Sequence, residues 1–412
     1  MSAESRLEID TARGDSSLVI LGMLAFWAGC SLVRWRPRTA EMQSTMRPWG
    51  QGHAERAALI WAVVIDGVVS ATRLYLLHAH LYSYVGSWKA YYANLGSLQV
   101  LWTVSTLGGS AALILVTIER YSHSSSDRPA GLLFWGIFVL EIVWGLASGM
   151  KGLALQPFII VAIVSSLIEQ RFKKGWAAVA LLGLIVIYPF SVNYRRLVLK
   201  QGGLSSATAV ASVGMKALSA TGRGQESTSG WAQSGWQMSV RRLDMLTSVG
   251  LVLWLGPRAS LLEGKERWWM LPYYPFIPRF IWHSKPILDK GRRFSVATGS
   301  TATSSMAITY PGDLYANYGL PGIVVGMLLL GVLSEWLART VTGTPDKRHL
   351  FIYAAMFMSV SHLETDAFSY LTGLIKNFVI LSVVAIVIYG PVRRAASVPV
   401  VRKKSAAQPC ES

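Results

Sequence analysis

Runs of about 17 to 22 largely apolar residues recur along most of this chain, and each is long enough to cross a bilayer as a helix. They fall near 17–33, 57–72, 96–118, 130–148, 152–169, 175–193, 315–338, 350–367 and 372–391. The eighth is the most polar, carrying Ser, His, Glu and Asp toward its end. Composition points the same way, with 52% hydrophobic and only 15% charged residues, a balance soluble domains rarely show. The fold class this predicts is an all-α polytopic integral membrane protein of about nine transmembrane helices, within a range of nine to twelve. The first run follows an acid-containing segment and lacks an A-x-A-like cleavage site, so it reads as a retained span. Cys30 lies in that run and Cys410 near the C-terminus, too far apart in character for a disulfide.

Basic residues set an orientation. With nine spans, the segments on one side hold 18 Lys and Arg and the short segments on the other hold 6, namely Arg6, Arg13, Arg73, Lys89, Lys151 and Lys376. The positive-inside rule then puts the N-terminus outside and the C-terminus inside. Four regions follow: N-terminal helices over 1–194, a long outer loop over 195–312, C-terminal helices over 313–392, and a basic tail over 393–412. The loop carries 15 of the 39 basic residues. Its first part, 201–235, is rich in Gly, Ser, Thr and Ala and is expected to be mobile. Its middle, 236–255, spaces apolar residues as an interfacial helix would. Residues 73–95 read as amphipathic and interfacial, with Tyr and Trp anchors. The net charge of +17 suits membrane orientation and anionic ligands, because no nucleic-acid motif accompanies it. Walker A, Rossmann, HExxH and Cys/His zinc patterns are absent from the sequence, so no cofactor and no metal site are expected.

Chemistry concentrates in Tyr274 to Asp313. Pro275, Pro278 and Pro286 each remove a backbone donor and bias the preceding residue to extended geometry, so the segment is a shaped loop. It holds Arg279, His283, Lys285, Arg292 and Arg293 with few compensating acids. Such a loop is suited to holding phosphate or pyrophosphate at a membrane surface. Arg195 and Arg196 end the sixth run at the same face, and Arg241 and Arg242 follow in the loop. Snorkelling to anionic lipid headgroups is the plainer role for these cations.

The segment Pro278-Arg279-Phe280-Ile281-Trp282-His283-Ser284-Lys285-Pro286, a Ser/Thr stretch, and Gly312-Asp313-Leu314-Tyr315-Ala316-Asn317-Tyr318-Gly319 together resemble the bacterial oligosaccharide repeat-unit polymerases, the O-antigen polymerase (Wzy-type) family. The likeness is sharp over about 275–335 and architectural elsewhere. It implies a multi-pass protein of the bacterial inner membrane with a periplasmic active face. It implies transfer of a growing glycan from undecaprenyl pyrophosphate to a sugar hydroxyl of another lipid-linked repeat unit. The lipid-linked oligosaccharides and the bilayer would be its partners, with a chain-length regulator and a flippase beside it and no nucleic acid. Arg195, Arg196, Arg241, Arg242, Arg279, Lys285, Arg292 and Arg293 become the candidate pyrophosphate ligands. The activated donor removes the need for a nucleotide, and the absence of Asp and Glu from 73–95 argues against a metal-using transferase.

Transfer to a hydroxyl also needs a base. Asp313 opens the seventh run beside Tyr310 and Tyr315, where it equally suits an N-cap. His362 and Asp366 are four apart and share a helix face, while Glu364 between them points elsewhere. Asp313, His362 and Asp366 are therefore the candidate catalytic residues. Asp66 and Glu141 sit mid-run, which is costly, and they either pair with a buried base or line a sugar cavity. A flippase or exporter of lipid-linked sugars is the main alternative, though no duplicated halves are visible. An O-antigen ligase shares the donor chemistry and is the third reading.

Overall fold

The computed structural model describes residues 3–34, 53–82, 99–122, 128–169, 171–201, 203–204, 206–222, 246–256, 262, 266–279, 281–299, 306–343, 347–361 and 363–390. Twelve helical elements carry the chain through them. They are α1 (Ala3–Arg34), α2 (His53–His78), α3 (Gln99–Thr103, a π turn Val104–Gly108, then Gly109–Ser122), α4 (Arg128–Ala147), α5 (Lys151–Glu169) and α6 (Lys174–Lys200). After these come α7 (Ala207–Gly222), α8 (Leu246–Leu255), α9 (Lys290–Ala297), α10 (Tyr310–Gly343), α11 (Lys347–Val360) and α12 (Ala367–Tyr389). Among the described residues, eight helices are long and apolar enough to cross a membrane: α1 to α6, α10 and α12.

The count of nine is corrected at α11. The run expected over 350–367 stops being helical at Val360, and Glu364 and Asp366 lie in the turn that follows. Fourteen residues give a helix of about 21 Å. It is sheathed by the bundle, with Leu350, Phe351 and Ala354 buried. Its contacts still carry the chain from one end of the bundle to the other. At its start Lys347 pairs with Glu119 at the end of α3, and Arg348 reaches the Gly390 carbonyl after α12. At its far end the Leu363 and Glu364 carbonyls accept from Tyr310 N and Thr309 N, where α10 begins.

Two other expectations change. Arg73, expected in an interfacial loop, lies inside α2 and is buried, because a buried carboxylate on α4 holds it there. The small-residue segment after the sixth span is not uniformly loose. Ala, Ser and Gly let α7 lie close on α6, burying Val213 and Ala217 against Tyr194 and Val198. α6 itself runs on to Lys200, so Arg195 and Arg196 stand near its end rather than in a loop. Of the expected interfacial helix over 236–255, α8 is described, packed on α1 and α10, and the residues before it lie outside the described set.

The helix pair α1 and α10 is the tightest in the bundle. Cys30 Sγ lies 3.4 Å from the Gly331 carbonyl, and Arg34 Nε donates to Glu335 at 3.0 Å. A Cβ on Gly29 or Gly331 would overlap the facing Leu328 or Phe26 carbonyl, so only glycine allows this approach. α10 bends at Gly319, whose φ of 62° an L side chain resists, just before Pro321.

Candidate functional site

The proline-rich segment is the shaped loop its sequence predicts, built from successive turns between Met270 and Lys285. Tyr274 hydroxyl and Arg279 both donate to the Pro286 carbonyl, at 2.7 and 2.9 Å. Lys285 Nζ donates to the Ile277 carbonyl at 2.9 Å and lies 4.3 Å from the centre of the Tyr274 ring. The Tyr274 ring meets Phe368 edge-on at 5.3 Å, which docks the loop on the start of α12. Arg279 therefore closes the loop on itself, while Lys285 is buried beneath it. Burial pushes the Lys285 ammonium down to about 8, with Arg279 and Lys376 adding repulsion.

Most loop cations already have carboxylate partners. Arg292 binds Asp289 at 2.6 Å, and Arg293 binds Glu266 at 2.8 Å and Asp289 at 3.1 Å. Lys290 binds Asp313 at 2.9 Å. Asp313 is fully enclosed and also accepts from Asn317 Nδ2 and from Ala367 N, both at 2.9 Å. It thus ties α9, α10 and α12 together. It does not cap α10, since Gly312 N bonds instead to the Thr309 hydroxyl. Asp366 caps α12 by accepting from Ser369 N at 2.9 Å. Burial pushes its carboxyl above the usual range, against the opposing pull of that bond. Arg241, Arg242 and His362 lie outside the described residues. Arg196 is exposed near the end of α6.

Two cavities lie in the bundle, and the loop roofs one of them. The polar one, of 810 Å³, takes Arg195 from α6, Lys151 and Gln156 from α5, Ser110 from α3, Asn377 from α12 and Glu364 from the turn before it. Arg195 Nε donates to the Gly149 carbonyl at 2.7 Å, and Lys151 Nζ sits 3.1 Å from the centre of the Tyr188 ring. Gln156 reaches Ser110 Oγ at 2.7 Å, and Asn377 reaches Ser359 Oγ at 2.9 Å. Glu364 is the single carboxylate among the described lining residues. Hydroxyls, amides, two cations, a carboxylate and aromatic faces are what a saccharide bearing a phosphate would meet.

The second cavity, of 510 Å³, is an apolar groove along α2, α3 and α12, roofed by Pro275 to Pro278. Its described lining contains two charges, Lys285 and Lys376. α3 and α12 form the wall between the cavities, and Leu107 and Leu381 line both. Lys376 Nζ donates to Thr103 Oγ1 at 3.1 Å and links the two wall helices. The wall is shaped by the π turn, a form that recurs at functional sites. Arg73 fixes it from α2, donating to the Ser105 carbonyl at 3.2 and 2.8 Å while gripping Glu141 of α4 at 2.6 and 3.0 Å. Gly109 leaves room for this pair, since a Cβ there would lie 2.5 Å from both side chains.

Of the eight candidate phosphate ligands, Arg195 enters the polar cavity and Lys285 the groove. The sequence reading missed Lys151, Gln156, Asn377 and Lys376 and set Glu364 aside. Polar residues within apolar runs are the signal that points to them.

Fold and site together define a polytopic helical membrane protein with a polar cavity and a lysine-bearing apolar groove on either side of one two-helix wall. By sequence the chain belongs to the family described as Domain of unknown function (DUF8712), which matches residues 69–389. No curated protein and no solved structure matches it.

Proposed function

We propose that the protein is a glycosyltransferase that polymerises lipid-linked oligosaccharide repeat units at the outer face of a bacterial inner membrane. The observation that carries this is the polar cavity, which combines saccharide-binding groups with Arg195 and Lys151 inside an otherwise apolar bundle. In the reaction, the bond from the donor sugar's anomeric carbon to pyrophosphate breaks, and the acceptor hydroxyl oxygen forms the new bond to that carbon. Lipid pyrophosphate departs with its developing charge facing Arg195 and Lys151. The acceptor's proton passes to Glu364, the carboxylate among the described residues lining this cavity. The 18-to-6 basic bias supports an outward-facing loop, and moving Arg73 and Lys376 into helix interiors sharpens it.

The test is the length distribution of surface glycan in cells lacking the protein and in cells carrying Arg195→Gln or Glu364→Gln. Loss of long chains with one repeat unit retained, at normal protein level, is the expected result. Loss of all external repeat units would instead identify a flippase, and normal-length polymer left on its lipid would identify a ligase.

A further inference from the structure

The apolar groove contains a feature that glycan chemistry does not explain. Among the described residues no carboxylate pairs with buried Lys285 or half-buried Lys376, although the buried cations Arg73, Lys290 and Lys347 each have one. Each ammonium carries three donors, and Lys285 spends one on the Ile277 carbonyl while Lys376 spends one on the Thr103 hydroxyl. A cation drawn out of water without a counter-charge is costly, so two in one apolar cavity point to an anion. Everything else in the groove is apolar or nearly so, and its outer lip is formed by exposed Trp61, Val64, Val68 and Val100 on the bundle surface.

We infer that the groove is a binding site for a lipid ending in a terminal phosphate, its chain along α2 and α12 and its phosphate between Lys285 and Lys376. The charge count selects this lipid over a phosphodiester phospholipid. A phosphodiester headgroup brings one negative charge to two ammoniums, whereas a terminal phosphate brings up to two and a pyrophosphate more. The low proton affinity of Lys285 agrees, because a neighbouring anion would restore its full charge. The site lies across the α3–α12 wall from the polar cavity, so it holds a lipid while the polar cavity is occupied. This inference deepens the reading above by naming a lipid subsite, and it rests on that reading for the lipid's role but not for its binding.

The experiment is binding of dodecyl phosphate to the purified full chain in nanodiscs of zwitterionic lipid, by native mass spectrometry and titration. Dodecyl phosphate should bind saturably, and Lys285→Gln and Lys376→Gln should each weaken it at least tenfold, while Lys→Arg at either position stays within a few-fold. Val68→Trp, which fills the exposed lip without touching a lysine, should weaken it too and guards against a misfolded lysine variant. Dodecylphosphocholine, phosphatidylglycerol and inorganic phosphate should compete poorly. Unchanged binding in the double lysine variant, or equal competition by phosphatidylglycerol or inorganic phosphate, overturns the inference. Arg195→Gln should keep dodecyl phosphate binding while losing polymer. Binding without any polymerising activity would therefore sink the proposed function alone, and polymerisation without this binding would sink the lipid site alone.

Discussion

Removing Arg73 should damage the protein more than removing its partner Glu141, and the structure says by roughly how much. Asp66, Arg73 and Glu141 form one buried cluster of two carboxylates around one guanidinium, with Asp66 Oδ1 lacking a hydrogen bond among the described residues. Arg73→Met leaves both carboxylates without a cation and frees the Ser105 carbonyl. Breaking a buried pair in this way costs about 3–5 kcal/mol, and the lost carbonyl bond adds about 1 kcal/mol. Glu141→Gln is milder. The amide still accepts from Arg73, and Asp66 remains as a counter-charge, so the cost is that of a weakened charge-assisted bond, about 1.5–3 kcal/mol. In the double variant the losses should fall short of their sum by about 1–3 kcal/mol, because the two residues share one interaction. Equilibrium unfolding of the purified protein in mixed maltoside–SDS micelles, followed by circular dichroism, measures all three. An Arg73→Met cost below about 1 kcal/mol is what an exposed interfacial arginine would give. That result, or a Glu141→Gln cost exceeding it, would refute the buried cluster.

Asp313→Asn should lower folded protein, at a cost of about 3 kcal/mol, because it removes the closer of the two carboxylates that face the buried Lys290 ammonium, leaving Glu266 at 3.9 Å; immunoblot level and the same unfolding assay decide, and normal level with lost polymer would return Asp313 to a catalytic role. Binding of dodecyl phosphate should be strongest between about pH 6, where the phosphate takes its second charge, and about pH 8, and fall by up to tenfold per pH unit above that. The sign follows from Lys285, which is charged below about 8 and loses its proton above. Arg279 and Lys376 repel that proton and Tyr274 faces it across the loop, and Lys285→Arg should flatten the profile. Gly331→Ala should separate α1 from α10, since its Cβ meets the Phe26 carbonyl, and lower the unfolding midpoint well beyond Gly67→Ala, where nothing lies within 4 Å.

What could be read from the chain was the part governed by local periodicity. Apolar runs are counted along the sequence, and eight of the nine expected runs correspond to helices long and apolar enough to span, although α1 begins well ahead of its run. α11 was legible as a run but not as a short helix, because Ser359 and Ser361 sit near its end and only the surrounding bundle makes fourteen residues sufficient. Charge pairing was not legible. Arg73 and Glu141 are 68 residues apart, and Lys347 and Glu119 are 228 apart. Nothing local marks such residues as partners rather than as surface charges. That limit explains only part of the loop reading: Arg293 pairs with distant Glu266, but Arg292 and Arg293 also pair with Asp289 three and four residues away, a spacing the sequence does show.

The acids show why the site itself was harder to read than the fold. Asp313 is far from Glu364 and Asp366 in the chain but near them in the fold, and each suits a base by type. Asp313 is consumed where three helices converge on it, and Asp366 by the first turn of α12. A carboxylate at a helix start is drawn into capping by backbone donors that have no other partner. Glu364 stands two residues before that start, in a turn whose carbonyl is held by Thr309, and its side chain lines the polar cavity. The helix-face argument favoured His362 and Asp366 because it assumed that the helix continued through 366. Once the helix ends at Val360, the four-residue spacing loses its meaning and the acid in the turn becomes the one that meets the cavity. The same logic separates the lysines: Lys290 and Lys347 are spent on carboxylates, whereas buried Lys285 and half-buried Lys376 have no carboxylate partner among the described residues and still need an anion.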